Sequence, residues 1–217
     1  MGKKIISFSL WGTDPKYTIG AVRNAALALE IYPSWTCRYY VGKSVPSSII
    51  EDLKRYPNTE LIIMNQEGNW EGMFWRFYAA SDPSVDIMIS RDTDSRLCLR
   101  EKAAVEDWLS TDKKFHIMRD IKYHGAPIMG GMWGVKDRLL FNLYDLVQSF
   151  PRGDYWQVDQ NFLREKIYPL VKDSACVHDE FFENQPFPTA REGGVDEKGD
   201  PINFVGKVFD KDDNWIK

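Results

Sequence analysis

The alternation of apolar runs with amphipathic segments in the first half of the chain constrains the fold more than any other feature. Residues 4–10, 36–41, 60–64 and 85–90 are short runs rich in aliphatic, β-branched and aromatic side chains. The first ends at Trp11-Gly12-Thr13-Asp14-Pro15, a plain loop signal. All four read as strands. Between them, residues 18–31 carry Ile19, Val22, Ala26 and Leu29 at helical spacing and stop before Pro33. Residues 46–56 open on a proline suited to a first helical turn, with Ile49, Ile50 and Leu53 on one face. Residues 71–80 are expected to be helical and are crowded with Phe74, Trp75, Phe77 and Tyr78. Strand and helix in strict alternation imply an α/β sheet of mostly parallel strands with helices on its faces. Ligands of such sheets bind outside the carboxyl ends of the strands.

The fourth run ends on unusual chemistry. Ile87, Met88 and Ile89 lead into Arg91-Asp92-Thr93-Asp94, two aspartates at i and i+2 flanked by Arg91 and Arg96. In an extended chain residues two apart project to one side, so the carboxylates would share one space. They repel each other there unless something positive intervenes, and a hard divalent cation prefers oxygen ligands. The pair is therefore a candidate metal site for a phosphate-bearing ligand. An aspartate turn that merely ends the strand would be spelled the same way. A position on the expected ligand rim, beside the 10–15 loop, favours the metal. An EF-hand is excluded, because no glycine and terminal glutamate follow at the required places.

Composition removes several function classes. The chain has 217 residues, suited to one domain with a sizeable core. Its net charge is -4, and its basic residues form no cluster beyond Lys3-Lys4 and Lys113-Lys114, so no nucleic-acid partner is expected. Three widely spaced cysteines, Cys37, Cys98 and Cys176, include no Cys-x-x-Cys. Free thiols in a reducing compartment fit them best. The N-terminus lacks the apolar length of a signal peptide, and no stretch approaches the roughly 20 apolar residues of a membrane span. A soluble cytoplasmic protein is expected.

Downstream, residues 99–109 read as a helix and 115–118 as a strand ending in Arg119-Asp120. Residues 128–135 read as an extended segment whose Gly130-Gly131 implies close backbone approach. Residues 137–150 and 158–167 read as helices, the second beginning at Asp159-Gln160, and 175–177 as a short strand closing on His178-Asp179. From residue 183 proline, glycine and acidic residues dominate, around an apolar island at Phe204-Val205-Gly206. The expected organisation is a single domain, an α/β core over 1–182 with an extended, wrapping C-terminal tail over 183–217. His178 could complete a site with Asp92 and Asp94, although a core or surface histidine is the simpler reading. Asp159 could be an ordinary helix cap. Arg76 and Arg91 could neutralise phosphate oxygens or pair with nearby acids. Trp11, Trp75, Trp133 and Trp156 could stack on a sugar or base, or fill the core. The chain has no G-x-S-x-G, G-x-G-x-x-G or P-loop signature.

Taken in order, Met73-Phe74-Trp75-Arg76-Phe77, the apolar strand running into Ser90-Arg91-Asp92-Thr93-Asp94-Ser95-Arg96, Met118-Arg119-Asp120, Gly130-Gly131-Met132-Trp133-Gly134 and Asp159-Gln160-Asn161-Phe162-Leu163 resemble GT-A-fold glycosyltransferases. More narrowly, they are similar to the small glycosyltransferase domains of large algal viruses and bacterial polysaccharide clusters, and to retaining transferases of the glycogenin type. The resemblance extends over residues 4–207. It implies a single GT-A, Rossmann-like domain that moves a sugar from a UDP-linked donor to a glycan or other hydroxyl acceptor. It also implies Mn2+ or Mg2+ held by Asp92, Asp94 and His178, and donor contacts from Arg76, Arg91 and Asp120. Gly206 and Lys207 would hold the diphosphate, and Ser9, Leu10, Trp11 and Gly12 would seat the base. Asp159 and Gln160 would lie near the anomeric carbon. Two features depart from the pattern. Gly130-Gly131-Met132 stands where the retaining group carries Asn-Ala-Gly, and His178 is far from Gly206 in sequence.

The chemistry suits these residue types. Breaking the sugar–diphosphate bond leaves concentrated negative charge, which a cation and arginine or lysine side chains stabilise. Inversion would need a general base, for which Asp159 or Asp154 would serve. Retention would place Gln160 or Asp159 beneath the anomeric carbon, and the Asp-Gln resemblance points that way. Two other readings use the same residues. A haloacid-dehalogenase-type phosphatase also carries Asp-x-Asp after an apolar strand, but near its N-terminus, whereas three strands precede it here. A sugar-nucleotide or glycan binder could keep the fold without turnover.

Overall fold

In the computed structural model, residues 2–216 are described, and their centre is a seven-stranded sheet. Its strands are β1 (Lys3–Leu10), β2 (Thr36–Val41), β3 (Thr59–Ile63), β4 (Val85–Ser90), β5 (Phe115–Arg119), β6 (Trp133–Lys136) and β7 (Cys176–Asp179), in the order β3-β2-β1-β4-β6-β5-β7. β6 pairs antiparallel with both β4 and β5, while every other pairing is parallel. The sheet of this one α/β domain is thus mixed but mostly parallel. The ends of β1 and β4 and the segment entering β6 meet on one rim, because Ser90 is opposite Trp133 in the antiparallel register.

Alternation along the strands feeds two core layers. From β1, Ile5 packs with Phe74, Phe77, Trp133 and Phe162 on one face, whereas Ile6, Phe8 and Leu10 pack on the other. That second layer is closed by α1 (Pro15–Ile31), α2 (Ser47–Lys54) and α3 (Leu99–Ser110). α1 starts three residues earlier than its spacing predicts, because the Asp14 carboxylate accepts the Lys16 backbone N–H and Pro15 suits the first turn. Its buried stripe is Ala21, Ala25, Ala28 and Ile31, not the bulkier set that includes Leu29, which is exposed. Small side chains let the helix lie close to the sheet.

The aromatic segment Trp70–Ser81 is a 3-10 helix over its full length. Tertiary packing of Phe74, Trp75 and Phe77 holds this otherwise weak conformation. The helix expected over 137–150 is shorter: α4 spans Leu143–Ser149, and Asp137 and Arg138 adopt positive φ. That backbone turn breaks the helix and lets Leu140 and Leu143 reach the core. The last helical stretch runs through α5 (Val158–Phe162), a π-helical turn (Leu163–Ile167) and α6 (Tyr168–Val171), where Pro169 sits at the helix start. Residues after β7 form isolated bridges, Val195 with Pro201 and Phe209 with Trp215. They return across the sheet's end, burying Phe187 and Val205 against Ala104, Met118 and Met132.

Candidate active site

Asp92 and Asp94 open onto a cavity of about 720 Å³ at the carboxyl ends of β1 and β4. One wall is the loop after β1, with Ser9, Trp11 and Gly12, and a second is the 3-10 helix, with Trp70, Met73 and Arg76. Gly130, Gly131 and Met132, leading into β6, form the floor. Asp154, Trp156, Asp159 and Gln160 form the far side, and Gly206 and Val208 close over the aspartates. The backbone N–H of Phe209 donates to the Asp94 carbonyl at 2.8 Å, so the returning chain is fastened to the aspartate loop itself.

Arg76 organises the charges. Its guanidinium is buried; one arm pairs with Asp92 and the other donates to Asp159 Oδ2 at 2.7 Å. Ser9 fixes the helix that carries it, since the buried Ser9 hydroxyl accepts the Arg76 backbone N–H at 2.9 Å and donates to the Met73 carbonyl at 3.3 Å. Lys16 Nζ lies 3.8 Å from Asp94 Oδ2. Burial, and then the neighbouring Asp92 charge, push the Asp94 carboxyl up to about 6. Asp159 is raised chiefly by burial and held down by Arg76. Both its oxygens are engaged, Oδ2 by Arg76 and Oδ1 by the Gln160 backbone N–H at 2.9 Å. It is not the N-cap of α5; Gln157 holds that place, with positive φ.

The paired glycines are explained by what surrounds them. A Cβ on Gly131 would overlap the Asp92 carboxylate, and one on Gly130 would overlap Asp159 and Arg76. Larger residues would therefore displace the charged groups of both sides.

Several expected site residues lie elsewhere. His178 does not line the cavity: its Nδ1 is 2.8 Å from His116 Nε2 and its Nε2 is 3.3 Å from Asp107 Oδ2, at the sheet's outer edge. β7 is paired beyond β5, and this strand position carries its ring away from the aspartates. Arg91 is buried in an ion pair with Glu101 at 2.9 Å and tethers β4 to α3. Asp120 is fully buried and bound by Arg100 and Arg191 and by the Val205 N–H. It anchors the chain returning over the cavity. Leu10 is a core residue. Lys207 faces a smaller adjoining cavity of about 530 Å³, its ammonium over the Trp215 ring.

The imidazole in the cavity wall is that of His124. Its Nδ1 accepts the Asp120 backbone N–H at 3.1 Å, and burial lowers its pKa to about 4. A neutral ring with Nδ1 accepting carries its proton on Nε2, so this histidine presents a donor. Sequence reading missed it, because loop residues carry no periodicity that reveals where they face, and missed Lys16 and Tyr17, because α1 begins at Pro15, ahead of the spacing that marks the helix.

No family model matches the chain, and no curated protein matches its sequence. Solved structures match its fold. One is a glycosyltransferase involved in the glycosylation of the major capsid of PBCV-1, at 18% identity over 82% of each chain with a TM-score of 0.53. A second is glucosyl-3-phosphoglycerate synthase from Mycobacterium tuberculosis, in complex with Mn2+, UDP and glucosyl-3-phosphoglycerate (12% identity, 82% of this chain and 70% of that chain, TM-score 0.52). A third is 4-diphosphocytidyl-2C-methyl-D-erythritol synthase from Anaerococcus prevotii (14% identity, 88% and 95%, TM-score 0.51). The chain therefore has the GT-A-like, Rossmann-related fold expected from its sequence. The fold is common to all three proteins, so the choice among chemistries falls to the site.

Proposed function

We propose that the protein is a metal-dependent glycosyltransferase that moves a sugar, with retention, from a UDP-linked donor to a hydroxyl of a glycan acceptor. The carrying observation is the paired aspartates at the cavity's edge, one raised by burial and by its neighbour's charge and both faced by cations. Such a pair is costly without a positive ion and suits a hard one. The residues fit Mn2+ or Mg2+: two carboxylates, Asp92 being half-exposed to the cavity, with Gly131 leaving room beside it. Asp92 and Asp94 would hold the metal, which would supply charge stabilisation to a departing diphosphate.

The chain's own groups account for the remainder. His124 Nε2–H donates to the diphosphate. Trp11 and Gly12 line the base end, and Tyr17 faces the same space. Arg76 pairs with both Asp92 and Asp159 and fixes the distance between metal end and sugar end. Asp159, with both oxygens engaged, stabilises positive charge developing at the anomeric carbon and takes no proton. Gln160, beside it in the wall, has no basic group, which supports retention. Trp70 and Trp156, partly exposed at the mouth, offer faces for an acceptor sugar, with Asp154 held to the Trp70 N–H at 3.0 Å.

The order of the chain disfavours a phosphatase: the aspartate pair follows the fourth strand, not a strand near the N-terminus. The test is turnover: a panel of nucleotide sugars with Mn2+, with UDP release followed and the product's anomeric configuration read by NMR. Release of UDP with a retained anomer supports the proposal. Inorganic phosphate release, or no turnover with any nucleotide sugar and acceptor, overturns it.

A further inference from the structure

Asp107, Cys176 and His178 converge at the outer edge of the sheet, apart from the residues lining the candidate active site. Cys176 and His178 are two apart on β7, so their side chains leave the edge strand on one side. Asp107 comes from α3, which packs against that side. One donor atom from each residue, the thiol sulfur, an imidazole nitrogen and a carboxylate oxygen, lies within 4.8 Å of the others. A tetrahedral Zn2+ with bonds of about 2.0–2.3 Å separates its ligands by about 3.3–3.8 Å. His178 Nε2 and Asp107 Oδ2 are already 3.3 Å apart. Asp107 is half-exposed and free to close the rest.

We propose that Asp107, Cys176 and His178 bind a borderline divalent cation of the Zn2+ type, with water in the fourth position, as a clamp between β7 and α3. A second observation, on the far side of the His178 ring, supports it. The other nitrogen of His178 is held at 2.8 Å by His116, a fully buried ring stacked 5.2 Å over Trp108. Metal-bound imidazoles characteristically have the second nitrogen fixed by a buried partner, which sets the ring's orientation. Coordination forms Zn–S, Zn–N and Zn–O bonds, releases the thiol proton to water and involves no change in oxidation state. The donor set is softer than the two aspartates of the cavity, so the two sites select different metals.

The experiment uses the full chain carrying Asp92→Asn and Asp94→Asn, which silences the other carboxylate pair, after treatment with chelator. Zn2+ is titrated in competition with a chromophoric chelator, and Co2+ is added separately as a spectroscopic probe. One equivalent of Zn2+ is expected, with a thiolate-to-cobalt charge-transfer band and tetrahedral visible absorption. Asp107→Asn, an exposed change that leaves the core intact, should weaken Zn2+ about 10-fold or more. Cys176→Ser should abolish the charge-transfer band while circular dichroism stays unchanged. Absence of Zn2+ binding, a cobalt spectrum without the sulfur band, or Zn2+ affinity unaltered in Asp107→Asn would each overturn the proposal. None of these readouts depends on glycosyl transfer.

Discussion

Asp94 is expected to destabilise the metal-free protein it serves. Its carboxyl is raised from 3.8 to about 6 by burial and by Asp92. The folded state thus binds this proton more tightly than the unfolded chain does. Stability then falls as pH rises from about 4 to about 6, and the deficit persists at higher pH. Two units correspond to about 3 kcal/mol at 1.36 kcal/mol each. Asp94→Asn removes the charge but still buries an amide, so a gain of about 1–2 kcal/mol is expected at pH 8. For a domain of this size that is about 2–8 °C in Tm. The assay is paired thermal melts of wild type and Asp94→Asn in chelator from pH 4 to pH 8. The variant should be the more stable at pH 8, with the advantage vanishing near pH 4. Saturating Mn2+ should reverse the order, because a ligand that binds only the native state stabilises it. A variant less stable than wild type at pH 8, or a difference independent of pH, would refute the reasoning.

Three further outcomes follow from the packing. Gly131→Ala should displace the Asp92 carboxylate and weaken Mn2+ by about 10–100-fold by calorimetry, with Tm little changed. Glu101→Gln should cost about 3 kcal/mol or more in urea denaturation, because it leaves Arg91 buried without its counter-charge. It should leave the KM for donor unchanged, since Arg91 faces away from the cavity. Trp156→Ala should raise the KM for acceptor by about 2–10-fold, the worth of one aromatic stacking contact, while donor hydrolysis in the absence of acceptor stays as in wild type.

The fold was legible because strand and helix periodicities are local. The first four strands and α1 to α3 follow from spacing alone, and the rim position of Asp92 and Asp94 follows from their parallel order. What escaped was set by distant packing. The 3-10 conformation of Trp70–Ser81 depends on aromatic contacts with Trp133 and Phe162, and α4 is shortened by two positive-φ residues. The site divides similarly. Ser9, Trp11, Gly12, Arg76, Asp92, Asp94, Asp159, Gln160 and Gly206 meet in one cavity. Arg91, Asp120 and His178 are polar residues at strand ends, as ligands would be, yet each is held away from the aspartates by a partner that sequence spacing does not reveal: Glu101, Arg100 and His116. His124 reaches the cavity because the loop after β5 folds back to cap the Asp120 N–H.

The central claim is that Asp92 and Asp94 bind a nucleotide diphosphate through a divalent cation. Calorimetric titration of UDP into wild type and into Asp92→Asn/Asp94→Asn, each with Mn2+ and with chelator, tests it most directly. Mn2+ should tighten UDP binding to wild type by about 100-fold or more, roughly 3 kcal/mol, and leave the variant's weak binding unchanged. Equal affinity of wild type for UDP with Mn2+ and with chelator would contradict it.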